Sequence, residues 1–309
     1  MMAEHDGYRW QSDIQVLFDT IVAMFSKYSN GDKNATIEKS RKMKRDMRNA
    51  YGGDILYLSA KPDFSDQLRR WTYIYTYLPR HVHLVYAALC TADTPELKES
   101  LKKLKEQPIV CCVGGGPNCD ALGLCIFLKK VGCKGTLTKE VCVLDEYDDW
   151  RHTWADMKQQ SPEGDQSWMP ETEWVKCDLV KPFTDDSAEK LKKADIITVI
   201  KSLSSVAASS EETVKEICDR IMKMMKSNAL LLFIDNAKSN AGELLLEARR
   251  ELNGSSHKLV LHEEVMTANL TSSRRDIYSD EAEALIEYME DQPVLKAGDN
   301  EMILIHRFE

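Results

Sequence analysis

The residues best suited to chemistry begin at Ile109-Val110-Cys111-Cys112-Val113-Gly114-Gly115-Gly116-Pro117-Asn118-Cys119-Asp120-Ala121-Leu122-Gly123. An apolar run enters glycines and leaves as a helical pattern. Glycine suits a sharp turn and lets a ligand approach the backbone with no Cβ in the way. The helix start offers unpaired N–H groups to an anionic or polar ligand. The next apolar run ends Val143-Leu144-Asp145-Glu146, and the one after it ends Lys176-Cys177-Asp178-Leu179. Carboxylates at successive strand ends suit ribose hydroxyls and amines, and open α/β sheets bind ligands at that edge. Glycine, acid, acid is the order to be positioned.

A second group follows the fourth and fifth apolar runs. The fourth ends Val199-Ile200-Lys201-Ser202-Leu203-Ser204-Ser205 and the fifth Leu232-Phe233-Ile234-Asp235-Asn236. Lys201 either snorkels from the sheet edge or holds an anionic part of a ligand. Asp235 and Asn236 read as caps of a helix beginning near Asn240. A third group lies upstream: Arg69, Arg70, Trp71, Tyr73, Tyr75, Tyr77, Arg80, His81 and His83. On a helix Tyr73 and Tyr77 share a face. They either frame a ligand, with His81 or His83 as general base, or belong to a packed aromatic element. The run Arg41-Lys42-Met43-Lys44-Arg45 is a solvated helix face or a phosphate or tRNA contact.

The elements that must hold these groups change character near Gln107-Pro108. Upstream the signals are helical. Ile14, Leu17, Phe18, Ile21, Met24 and Phe25 recur at helical spacing. A charged helix follows from Ala35 to Met47, and Gly52-Gly53 breaks it. Asp66 to Leu78 reads as a helix that Pro79 interrupts, although its alternating tyrosines also suit a strand. Thr94-Pro95-Glu96 opens another helix, running to about Glu106. Downstream, strands are expected at Ile109–Val113, Glu140–Leu144, Glu173–Cys177, Ile196–Ile200, Ala229–Ile234, Lys258–His262 and Met302–His306. Helices are expected at Cys119–Val131, Trp150–Gln159, Ser187–Lys193, Glu211–Met225, Ala241–Leu252 and Glu281–Met289. Alternation of this kind implies a doubly wound parallel sheet covered on both faces. The expected domains are a helical lid or substrate region over 1–106 and a Rossmann-like domain over 107–309.

The 309 residues are 43% hydrophobic and 29% charged, the balance of a globular chain rather than a disordered one. A formal net charge of −9 disfavours a nucleic-acid backbone as partner. None of the nine cysteines makes a paired CxxC pattern, so buried thiols in a reducing compartment are expected rather than zinc. Met1 to Arg9 has no apolar core of a signal peptide, and no run reaches ~18 apolar residues. A cytoplasmic protein with no membrane span is the expectation.

Val113-Gly114-Gly115-Gly116-Pro117 resembles the first motif of class I S-adenosylmethionine-dependent methyltransferases. Asp145 falls where that family places its ribose-binding residue, and Asp178 where it places the residue reaching the adenine amine. The resemblance covers roughly Pro108 to Glu309. It implies an α/β fold with a doubly wound, seven-stranded, mostly parallel sheet and an α-helical N-terminal extension. S-adenosyl-L-methionine is the implied cofactor, leaving as S-adenosyl-L-homocysteine. Implied cofactor residues are Gly114, Gly115, Gly116, Pro117, Asn118, Asp120, Asp145, Glu146, Asp178 and Leu179, with Lys201 and Tyr73. Lys201, Ser202, His81 and Tyr77 are the catalytic candidates. Two positions depart from the motif: Cys112 stands where an acid often precedes the glycines, and Asn118 stands for the last glycine. Asparagine tolerates the left-handed backbone better than most residues. The rival, a dinucleotide-binding oxidoreductase, wants glycine where Cys119 stands. Asp235-Asn236 is similar to the metal ligands of catechol-type O-methyltransferases, but Lys201 takes the third ligand's place and would repel Mg²⁺, so no metal is expected. Motifs for methylating nucleic-acid bases are missing after the fourth strand. The expected reaction is methyl transfer to a nitrogen or oxygen of a small molecule. Alternatives are a protein or RNA methyltransferase and a silent scaffold subunit that kept the fold.

Overall fold

The computed structural model describes residues 3–29, 31–52, 62–91, 108–130, 140–161, 169–207, 210–253, 258–267, 280–289 and 300–308. The helix expected from Thr94 lies outside them. The chain divides into two compact units. The first comprises Met1–Arg80, Asp149–Gln166 and Thr271–Lys296. The second comprises His81–Asp148, Ser167–Leu270 and Ala297–Glu309.

The first unit is helical. It holds α1 (Ala3–Tyr28), α2 (Lys33–Gly52) and the first part of α3 (Gln67–Thr91). It also takes two helices from later in the chain, which become α5 (Trp150–Gln160) and α10 (Asp280–Tyr288). The apolar stripe of α1 is buried as its spacing requires: Leu17, Phe18, Ile21, Met24 and Phe25. Trp71, fully buried, stacks on Tyr75, packs beside Phe25 and donates its indole N–H to the Ile21 carbonyl at 3.1 Å. The aromatic segment is therefore helix, not strand. It also runs through Pro79 rather than stopping there. Proline removes one backbone donor, and the packing of Trp71, Ile74, Tyr75 and Leu78 outweighs that loss. The basic run of α2 is not one solvated face. Lys44 is buried with its ammonium 5.5 Å from the centre of the Tyr75 ring.

The second unit is a sheet of seven strands. They are β1 (Val110–Val113), β2 (Val141–Asp145), β3 (Thr172–Lys176), β4 (Ile196–Ile200), β5 (Leu230–Asn236), β6 (Lys258–Thr267) and β7 (Asn300–Phe308). Their order is β3-β2-β1-β4-β5-β7-β6, with β7 antiparallel to both neighbours and the other pairings parallel. Helices α4 (Cys119–Lys130), α6 (Asp185–Lys193), α7 (Ser204–Ala207), α8 (Glu211–Met224) and α9 (Ala241–Asn253) connect them. Two cores cover the two faces. Cys111, Val113, Ile197, Val199, Leu231 and Phe233 point to one, with α8 and α9. Val110, Cys112, Ile196, Leu230 and Leu232 point to the other, with α4 and the end of α3. Successive strand residues alternate between the cores, which is why the central strands read as largely apolar runs, whereas β3 at the edge carries Glu173 and Lys176.

The division between the units falls inside α3, after Arg80, and not at residue 107. Leu84, Val85, Ala88 and Leu89 are core residues of the sheet unit. Gly123 explains the close fit there: a Cβ on it would stand 2.6 Å from the Val85 Cβ.

Candidate active site

The sheet order sets β3, β2, β1 and β4 side by side, so their carboxyl ends form one continuous edge. The glycine turn opens at Gly114, whose N–H bonds the Leu144 carbonyl at 2.7 Å. Gly114 has φ +65°, and a Cβ there would meet the Ser202 Cβ at 2.7 Å. Both backbone shape and the neighbouring strand end thus require glycine. A Cβ on Gly115 would lie 2.6 Å from that of Cys112. Gly116 is held at both ends: its N–H donates to Asp145 Oδ2 at 3.0 Å, and its carbonyl accepts from Trp174 Nε1 at 3.2 Å. Pro117 is buried beneath the turn. Asn118 takes φ +68°, the left-handed backbone expected of it, and its Nδ2 donates to Thr172 Oγ1 at 2.9 Å. Cys112, standing where an acid is common, sets its Sγ 4.0 Å from Asn118 Oδ1.

Thr172 and Trp174 were not legible as site residues. Their i, i+2 spacing on β3 puts both on one face, and that face meets the turn. Asp145 also accepts the Tyr147 N–H at 3.0 Å. A carboxylate has about four acceptor positions, so these two backbone bonds do not exhaust it by themselves. Asp178 lies on the same edge, accepting from Val180 N–H at 3.2 Å and pairing with Lys181 at 3.0 Å. Glu146 adds to the negative field around Lys181. Leu179 packs on the first core, and its carbonyl accepts from Arg220 Nη2 at 2.9 Å. Arg220 also donates to the Lys181 carbonyl and lies 5.0 Å from the Phe183 ring centre. A single arginine of α8 thereby fixes the loop after β3, a contact no local pattern could reveal.

The remaining expected site residues are held by contacts of their own. Asp120 is fully buried, and its oxygens are taken by Thr198 Oγ1 at 2.7 Å and Cys119 Sγ at 3.1 Å. It supports the turn from below and presents no oxygen to the edge. Burial pushes its carboxyl up to about 6. Ser202 packs against Gly114, its Oγ 3.5 Å from the Val113 carbonyl. Lys201 adopts φ +55°, unusual for a residue with a Cβ, and its ammonium bonds Asn236 Oδ1. Asp235 does not cap the helix near Asn240. It is fully buried and accepts from Leu203, Ser204 and Asn236 N–H at 2.8–3.0 Å, anchoring the start of α7. Among the described residues no group of three or more His, Cys, Asp or Glu side chains is placed to hold a metal ion.

Tyr73, Tyr77 and Arg80 belong to the helical unit, His81 and His83 to the sheet unit. The Tyr73 and Tyr77 rings are 5.0 Å apart, and Tyr73 meets Phe64 and Trp150 edge-on at 5.2 and 5.6 Å. His81 is buried. Burial pushes His83 down to about 4, leaving it neutral at pH 7. Described cysteines are free, and burial pushes the thiols of Cys125 and Cys218 up to about 12, so neither is a ready nucleophile. No described helix is long and apolar enough to cross a membrane.

No family model matches the chain, and no curated protein matches it. Solved structures do. One is the magnesium protoporphyrin IX methyltransferase of Synechocystis PCC 6803 with bound SAM, 12% identical over 85% of this chain and 96% of that one, at a TM-score of 0.40. Another is an N-methyltransferase from Bradyrhizobium japonicum WM9, 12% identical over 74% and 97%, at 0.39. The CMeT domain of the citrinin polyketide synthase is 12% identical over 91% and 68%, at 0.43. Likenesses this distant carry no inference about chemistry.

Proposed function

We propose that this chain is an S-adenosylmethionine-dependent methyltransferase acting on a nitrogen or oxygen of a small-molecule acceptor. The observation that carries the reading is the 3.0 Å bond from Gly116 N–H to Asp145 Oδ2, which joins the glycine turn to the β2 carboxylate. The turn, Asp145 and Asp178 then stand on three adjacent strand ends in the order an adenosyl group needs. The donor set fits: backbone N–H groups at the start of α4 for a carboxylate, Asp145 for ribose hydroxyls, and the loop of Asp178 and Leu179 for adenine. Bound S-adenosylmethionine supplies an electrophilic methyl group on a positively charged sulfur. The chain's part is to orient the acceptor and exclude water. Lys201, held by Asn236 at the end of β4, sets a cation at the rim, where an anionic portion of a ligand is favoured. A net charge of −9 argues for a small acceptor over a nucleic acid.

Calorimetry with S-adenosylmethionine and S-adenosylhomocysteine tests this. Both are expected to bind, and Asp145→Ala to weaken them about 10²-fold, near the 1.5–3 kcal/mol of a charged hydrogen bond. Failure of both ligands to bind the wild-type chain sinks the reading. Labelled methyl transfer into small-metabolite, protein and RNA fractions then separates the acceptor classes. Binding with no transfer to any fraction points instead to a silent subunit.

A further inference from the structure

The helical unit carries two arginines on α3 with opposite surroundings. Arg70 is buried and spent: Nε donates to Thr153 Oγ1 at 2.8 Å, and Nη1 to the Phe64 and Ser65 carbonyls at 2.7 and 2.8 Å. Asp149, Asp66 and Asp156 add their field. Arg80 has none of this. Its Nε is shut off from solvent with no hydrogen-bond partner among the described residues. The side chains that bear on its charge are the phenols of Tyr77 and Tyr73, with no carboxylate among them, and burial pushes the guanidinium down from its ordinary range. Side chains on a helix lean toward its N-terminus, so Arg80 leans back over Tyr77 and Tyr73. Arg69, on the same stripe, shares the unpartnered Nε but has a carboxylate within reach of its charge, that of Asp63.

We propose that Arg80, with Tyr73 and Tyr77, is a binding site for a small oxyanion, a carboxylate or a phosphate monoester, on the face of α3. Arg80 is half-buried, and a guanidinium whose Nε is shut off from water with no counter-charge beside it is costly to keep unless something intermittent neutralises it. Guanidinium offers a planar fork that suits both oxyanions, and phenol hydroxyls are neutral donors beside it. The aromatic floor of Phe64 and Trp150 against Tyr73 fixes one tyrosine in place. The site stands on the helical unit and does not depend on the cofactor reading.

The probes are inorganic phosphate and succinate, titrated by calorimetry into the full chain, with thermal unfolding in anion-free buffer alongside. Wild type is expected to bind at least one, and which one distinguishes a phosphate-bearing from a carboxylate-bearing ligand. Arg80→Met should weaken that binding at least tenfold and raise the midpoint of unfolding without anion. Arg80→Lys should retain part of the binding, Tyr77→Phe should lose a few-fold, and Arg250→Met, an exposed position of α9, should change nothing. The proposal is overturned if wild type binds neither probe, if Arg80→Met binds as wild type does, or if Arg80→Met unfolds more readily or fails to fold. The last result would make Arg80 a structural residue like Arg70.

Discussion

The sheet edge and the α3 face handle polar groups in opposite ways. At the glycine turn, Gly116 is held at both its N–H and its carbonyl, Asn118 is tied to Thr172, and Asp120 is capped by Thr198 and Cys119. Such a turn is set before any ligand arrives, so little ordering entropy remains to be lost on binding. On α3, the aromatic rings are packed as firmly, yet the Arg80 guanidinium lacks a counter-charge among the described residues. A satisfied polar network holds shape, whereas an unsatisfied one stores a preference for a missing partner.

Three substitutions probe that contrast, and Arg70→Met has the largest effect. It leaves the Phe64 and Ser65 carbonyls and Thr153 without their donor and withdraws a nearby cation from Asp149, Asp66 and Asp156, the last two of which keep Lys39 and Lys27. Removing one member of a buried charged network costs about 3–5 kcal/mol. Urea unfolding should show a loss of that size. The same change at Arg80 should move stability in the other direction, so equal losses at both positions would erase the distinction between them.

Asp120→Asn is next and acts on the turn. The folded chain holds the Asp120 carboxyl near 6, above its ordinary value of 3.8. A raised acid favours the folded state fully below pH 3.8, and that contribution is lost as pH climbs through 6. The ionised form at neutral pH is therefore the unfavourable one. The asparagine variant keeps an acceptor for Thr198 and drops the charge. Relative to wild type it should gain up to about 3 kcal/mol by pH 7, with the gain vanishing below pH 4. Unfolding followed across pH 3–8 checks this, and a pH-independent difference would refute the buried-carboxyl account.

What local pattern carried, and what it did not, follows the reach of each interaction. Ile196–Ile200 reads as a strand by its β-branched, largely apolar run, and it forms with those bounds. Asn118 could be expected to go left-handed because the preference belongs to the residue itself. Asp235 reads as a cap of the helix near Asn240 because capping is usually local, but its partners Leu203 and Ser204 lie some thirty residues upstream. The helix α7 is too short, at four residues, to show a period. Pro79 reads as a stop because its backbone chemistry is local, while the burial that carries α3 past it is tertiary. For the same reason α3 could not be seen to serve both units, nor α5 and α10 to leave the sheet for the helical one.

Trp174→Phe gives the smallest expected effect and the finest test of the preset turn. Phenylalanine keeps most of the apolar surface packed on the second core and removes only the indole N–H that Gly116's carbonyl accepts. A neutral hydrogen bond of this kind is worth about 1 kcal/mol. If the bond serves mainly the fold, stability falls by that amount and cofactor affinity stays put. If it holds the turn in its binding shape, affinity for S-adenosylhomocysteine falls several-fold while Asp145, still bonded to Gly116 N–H, keeps the strand ends together. Calorimetry and unfolding on the same variant separate the two. The clamp at both ends of Gly116 predicts the second result, because loosening one end lets the peptide rotate about the other.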